Sequence, residues 1–182
     1  MPPQGGKLLV AKPALGDPNF DRTVVFLTEY SEHGAVGFVL NRRIDVKVGD
    51  LIGDFDNFQG RIYHGGPVQN DSLFFVHRKG DLIPGSHRIT KEISWGGDFQ
   101  PLREMIEMDL IGPDDLLFFL GYSGWGAGQL DQEIEDQSWW LFPESSADWF
   151  NRPNDDLWAE VLRHQGDDYA LWLNSPSDPN LN

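Results

Sequence analysis

A chain of 182 residues with 14 Lys and Arg against 29 Asp and Glu has a formal net charge of −15. That charge argues against direct contact with nucleic-acid phosphates or anionic membranes, which both draw on positive charge. The absence of cysteine excludes disulfides, thiolate metal sites and cysteine nucleophiles. With 40% hydrophobic residues the chain can build its own core, and no apolar run approaches the roughly 18 residues of a membrane span.

The apolar run Leu8-Leu9-Val10-Ala11 predicts a buried first strand ending before Pro13. It is too short for a signal-peptide core, so the cytoplasm is the simplest expectation for location. Residues 14–22 read as a loop. Residues 23–27 and 35–40 read as strands joined across Ser31-Glu32-His33-Gly34, a hairpin in which Gly37 marks a bulge or a close backbone approach. Residues 48–52 suit one helical turn, Ile62-Tyr63 a short strand, residues 73–77 a strong strand and 93–95 a weak one.

A helix is expected from Asp98 or Gln100, with Pro101 in its first turn. Leu102, Met105, Ile106 and Leu110 share one face, and Gly112-Pro113 stops it. The run 116–120 is continuously apolar and predicts a central strand. A Gly-rich turn and a helix over 129–136 follow, then a strand over 139–142. In that strand the adjacent Trp139 and Trp140 point to opposite faces, leaving one partly exposed and available for an interface. Residues 155–164 carry helix grammar throughout. Asp155 and Asp156 open it, Arg163 and His164 close it, Leu157, Trp158, Val161 and Leu162 form its apolar face, and Gly166 caps it. Residues 1–174 then form a single domain and 175–182 a flexible tail. Irregular mixing of strands and helices gives the α+β (mixed α/β) class.

The densest motif is Gly121-Tyr122-Ser123-Gly124-Trp125-Gly126-Ala127-Gly128-Gln129-Leu130. Its place between strand and helix suits a phosphate loop, but the lysine and hydroxyl of such loops are absent, and Asp131 and Glu133 would repel a phosphate. It also nearly spells a nucleophile elbow around Ser123, except that Trp125 stands where that motif needs glycine. His64-Gly65-Gly66, Asp155 and His164 would complete a hydrolase in chain order. The histidines, at 33, 64, 77, 87 and 164, lack the spacing of a helical zinc motif. Asp54-Phe55-Asp56-Asn57 begins like a calcium loop, but Phe58 and Gln59 then break the pattern. No metal and no cofactor are expected.

Four short blocks stand in order between about Leu8 and Pro143. They are Leu8-Leu9-Val10-Ala11-Lys12-Pro13 with Asp17, Phe20, Arg22 and Val24-Val25; Gly34-Ala35-Val36-Gly37 ending at Asn41; Gly65-Gly66-Pro67-Val68; and Gly121-Tyr122, Trp125, Gly128-Gln129-Leu130, Glu133-Ile134 with Trp139 or Trp140. In these blocks the chain resembles the AlgH/YqgE family of small bacterial proteins, departing at Arg43, where members often carry proline. The resemblance implies a small β-barrel or split mixed sheet flanked by helices. Members are often labelled transcriptional regulators, with no established cofactor or catalytic set.

Nothing in the chain resembles a helix-turn-helix. The expectation is therefore a non-catalytic regulatory or protein-interaction domain, acting on transcription indirectly through a protein partner if at all. Asp17, Arg22, Asn41, Gly65, Gly66, Pro67, Tyr122, Trp125, Gln129 and Glu133 are the candidate binding residues. The alternative is a small-molecule binder or hydrolase built on Gly65-Gly66-Pro67 and the loop 121–129.

Overall fold

A computed structural model describes residues 1–13, 16–53, 55, 58–152 and 155–176. Ala14 and Leu15 of the expected first loop, Asp54, Asp56 and Asn57 of the calcium-like run, and 177–182 of the expected tail lie outside the described residues. The strands are β1 (Lys7–Ala11), β2 (Val24–Ser31), β3 (Gly34–Val39), β4 (Arg43–Ile44), β5 (Arg61–His64), β6 (Val68–His77), β7 (His87–Arg88), β8 (Ser94–Trp95), β9 (Leu116–Gly126) and β10 (Trp139–Pro143). The helices are α1 (Val48–Leu51), α2 (Phe99–Glu107), α3 (Gln129–Glu135), α4 (Leu157–Gln165) and α5 (Asp167–Ala170). Among the described residues no helix is long and apolar enough to cross a membrane.

The strands form one open sheet in the order β10-β1-β2-β3-β9-β6-β8-β7, with β5 on β9 and β4 on β5. The class is α+β, in the split-sheet form and not a closed barrel. β9 joins the two halves. The first part of β9 pairs in parallel with β5 (Arg61↔Leu117 to His64↔Leu120). Its last part pairs antiparallel with β3 (Gly37↔Ser123 to Gly34↔Gly126). β6 also runs antiparallel to it, from His77↔Leu116 to Val68↔Tyr122.

Both faces of the sheet are covered along β1, β2 and the first part of β9, which explains the continuous apolar runs in the sequence. Along β1, Leu8 and Val10 enter a core shared with Phe119, Trp149 and the apolar face of α4, and Leu9 and Ala11 enter a second core under α3. β2 repeats the division, with Val24 and Phe26 on one side and Val25 and Leu27 on the other. In β9, Leu117 and Phe119 face α4, and Leu116 and Phe118 face a third core containing Leu102 of α2. Burying each of these large side chains contributes on the order of 1.5–3 kcal/mol.

Four expectations change in detail. The hairpin strand β2 runs on to Ser31. The segment 121–126 is not a turn but the continuation of β9. Leu110 lies beyond the end of α2 and is exposed, because the chain leaves the helix at Met108 and takes a left-handed step at Asp109 (φ 56°). α4 begins at Leu157, so Asp155 and Asp156 precede its first turn. Trp139 is buried and Trp140 half-buried, as opposite faces require. Gly37 is a close approach: a Cβ there would stand 2.7 Å from Val25 Cγ1 and 2.8 Å from the Phe26 carbonyl oxygen.

Gly66, between β5 and β6, packs directly against the backbone of β9. Gly66 has φ 155°, and a Cβ would lie 2.2 Å from the Tyr122 carbonyl carbon. Gly66→Ala is therefore expected to force β9 and its neighbours apart and cost about 3 kcal/mol or more in urea unfolding.

His77, at the end of β6, is fully buried. The Lys79 backbone N–H donates to its Nδ1 at 3.1 Å, so Nε2 carries the hydrogen and donates to the Gly96 carbonyl at 2.9 Å. Burial lowers its pKa below the ordinary 6.5, only partly opposed by the Gly96 bond. An unfolded chain then binds this proton at higher pH than the fold does. The stabilisation is complete above the unfolded pKa and is lost as pH falls from there toward the lower folded pKa. The melting-temperature difference between wild type and the His77→Gln variant is expected to move against the wild type as pH falls below the ordinary histidine pKa of 6.5, read by paired thermal melts across that range.

Candidate functional site

The structure sorts the candidate residues into three groups along the sheet. The first lies where α3 docks on the end of β9. Glu133 Oε2 accepts the indole N–H of Trp125 at 2.9 Å and of Trp139 at 2.8 Å, and its Oε1 accepts from Gln129 Nε2 at 3.0 Å. Gln129 Oε1 in turn accepts the Gly126 backbone N–H at 3.0 Å. Phe20 fills the space between the two indoles, stacked on Trp125 with centroids 6.0 Å apart and edge-on to Trp139 at 5.5 Å. Asp17 belongs here through its turn: its Oδ1 accepts the Asn19 N–H at 2.9 Å and its carbonyl the Phe20 N–H at 3.0 Å, which sets the approach of Phe20. Tyr30 adds a second tie to α3, donating to Asp131 Oδ1 at 2.7 Å, and that bond holds the phenol above its usual pKa.

The second group is the Gly65-Gly66 corner. Val39 N–H and Ser123 Oγ both donate to the Gly65 carbonyl, at 2.9 Å and 3.1 Å, and Gly65 N–H donates to Leu120. Ser123 is fully buried and its hydroxyl is committed to that bond, an arrangement unlike the exposed nucleophile of a hydrolase elbow. A Cβ on Gly65 would lie 2.4 Å from the Gly121 carbonyl oxygen, so the two glycine segments pack backbone to backbone with no room for a ligand between them. Pro67 is exposed beside this corner, and Tyr122 is half-buried, edge-on to Phe74 at 5.6 Å.

The third group is Arg22 and Asn41. Buried Asn41 accepts the Val24 N–H at 3.0 Å and donates to the Arg22 carbonyl at 2.8 Å, clamping the entry to β2. Arg22 is held in the left-handed region (φ 50°), lies over the Trp158 ring at 5.1 Å and donates to the Ser175 carbonyl at 2.6 Å. Ser175 is the first residue of the expected tail.

His64, Asp155 and His164 do not assemble around Ser123, because Ser123 is sealed inside the sheet and all three are exposed. Among the described residues no group of three or more His, Asp or Glu could hold a metal ion. The sequence reading missed Phe20 and Trp139 as members of the Glu133 cluster. Both stood in the four blocks, which was the available signal. It also missed the residues of α4 and the C-terminal segment that meet Arg22, since no local pattern links positions so far apart.

These features define an α+β domain with an open, split sheet, whose candidate polar residues act largely as internal clasps. The profile of the AlgH-like family matches residues 8–170, and the chain belongs to that family. The match runs on through α4, past the Pro143 limit read from the blocks. A UPF0301 protein of Chlorobium limicola is 41% identical over 177 residues, covering 97% of this chain and 95% of the relative. One of Cytophaga hutchinsonii is 40% identical over 178 residues, covering 97% and 98%. The solution structure of AlgH from Pseudomonas aeruginosa is similar with a TM-score of 0.73 at 30% identity, covering 94% of each chain. A crystal structure of a Corynebacterium diphtheriae protein has a TM-score of 0.76 at 26% identity, covering 97% and 93%.

Glu133→Gln turns one carboxylate oxygen into an amide nitrogen, which then faces a donor, either the two indoles or Gln129 Nε2. It is expected to cost about 1–3 kcal/mol in urea unfolding. The NMR indole N–H resonances of Trp125 and Trp139 should shift together.

Proposed function

We propose that this chain is a non-catalytic regulatory domain that works in the cytoplasm by binding another protein, through the outer face of the last part of β9. The observation that carries this reading is a strip of sheet almost bare of side chains. Along 122–126, Ser123 and Trp125 turn inward, while Tyr122 and the exposed Gly124 and Gly126 face outward. Val36 pairs with Gly124 and Val68 with Tyr122, so these half-buried side chains border the strip, with exposed Pro67 and Gln129 nearby. A flat strip rimmed by apolar and amide side chains suits contact with a protein surface better than enclosure of a small substrate. The buried, hydrogen-bonded Ser123 supports the non-catalytic half of the reading. The net charge of −15 supports an indirect route to any effect on transcription.

Gly124 permits a clean test. A Cβ there meets nothing nearer than Tyr122 Cε2 at 3.4 Å, an ordinary contact. Gly124→Arg is therefore expected to keep the wild-type melting temperature while covering the strip. In native pull-downs read by mass spectrometry, a partner retained by wild type and lost by the folded variant is the expected result. A partner held equally by both, or no reproducible partner, would sink this reading.

A further inference from the structure

We propose that the groove between Arg22 and α4 is a binding site for a small zwitterion with a free carboxylate and a free ammonium, of amino-acid to dipeptide size. The cavity is about 380 Å³ and is lined by Arg22, Asp155, Asp156, Trp158, Arg163 and Asn174, among others. That is at the small end of the roughly 300–1,000 Å³ of small-molecule sites.

Arg22 is the element that points to a ligand. A non-glycine residue at φ 50° is a costly conformation, kept only where its surroundings enforce it. Here Asn41, itself only 7% exposed, enforces it by bonding both the Arg22 carbonyl and the Val24 N–H. The result is a guanidinium laid over the Trp158 ring at 5.1 Å, with one N–H given to Ser175. Its remaining donors form part of a rigid fork matched to a carboxylate.

The other lining charges choose the class of ligand. Asp155 and Asp156 stand just before α4, and Arg163 stands two turns along it, about 10 Å up the axis. Trp158, which carries the Arg22 guanidinium, lies two residues after Asp156, so the groove offers carboxylates and one guanidinium at the start of α4 and a second guanidinium, Arg163, further along it. A dianion would meet the aspartates and a dication the arginines. A molecule with one charge of each sign meets the aspartates and the Arg22 guanidinium together. This site is separate from the β9 strip and is read on the free chain, so its failure would leave the protein-partner reading standing.

The test is calorimetric titration of the full chain with free alanine, free glutamine, alanylalanine and glycylglutamine, each beside its N-acetyl and C-amide forms. At least one free zwitterion should bind, and blocking either charge should weaken it roughly tenfold or more. Asp156→Asn should then abolish the preference for the free amine over the acetyl form. Arg22→Gln should abolish the preference for the free acid over the amide. If Arg22→Gln does not fold, Arg163→Gln at an exposed position takes its place. No binding at about 10 mM by any of the four overturns the proposal. So does binding indifferent to blocking, or preferences that persist in the folded variants.

Discussion

The fold depends on how the two edges of β9 are shared. Every buried backbone donor and acceptor needs a partner, and a strand of this length in the middle of a sheet presents two full rows of them. β6 serves one edge. The other is divided between β5, beside Leu117 to Leu120, and β3, beside Ser123 to Gly126. Gly65 stands at the handover, donating to Leu120 and accepting from Val39 and Ser123. Gly121 lies opposite in the left-handed region (φ 71°) and lets the strand bend, so that its alternation restarts with Tyr122 outward and Ser123 inward. Gly65, Gly66 and Gly121, which look like parts of ligand loops in the linear sequence, bring three strands to one point.

The same constraint shapes the polar residues. Glu133 is placed to collect two indole donors that the sheet would otherwise bury without partners. Asn41 satisfies the backbone at the mouth of β2. Where both sheet faces are covered, such side chains are where strand ends, helices and loops are tied together. The Glu133 cluster and Asn41 therefore have a structural role in the fold. One feature is not consumed in this way, the glycine-bare outer face of β9, and a second, the Arg22 guanidinium over Trp158, is engaged through one N–H with the Ser175 carbonyl.

Arg22 connects the two ends of the chain. It precedes β2, near the start, yet its guanidinium rests on α4 and holds the carbonyl of Ser175. α4 is itself fixed by the burial of Leu157, Trp158, Val161 and Leu162 and by the Trp158 indole donating to the Ala11 carbonyl at 2.8 Å. The groove beside it is thus built on rigid elements, with the strained Arg22 backbone held by a buried amide.

The sequence by itself determined the elements whose signals are local. Leu8-Leu9-Val10-Ala11 and the run 116–120 read as buried strands because each alternate residue meets an apolar core on its own side of the sheet. The face of α4 and its glycine stop were legible for the same reason, since helical period and caps are short-range properties. The family was legible from the order of its blocks. Only the tertiary structure decided that 121–126 is strand: the backbone groups of that stretch find partners in β3, more than eighty residues earlier in the chain. It alone decided that Ser123 is sealed, that Glu133 clasps two tryptophans, and that Arg22 faces α4. Each of these rests on contacts between distant segments, and composition, period and spacing carry no information about which distant edge a strand will find.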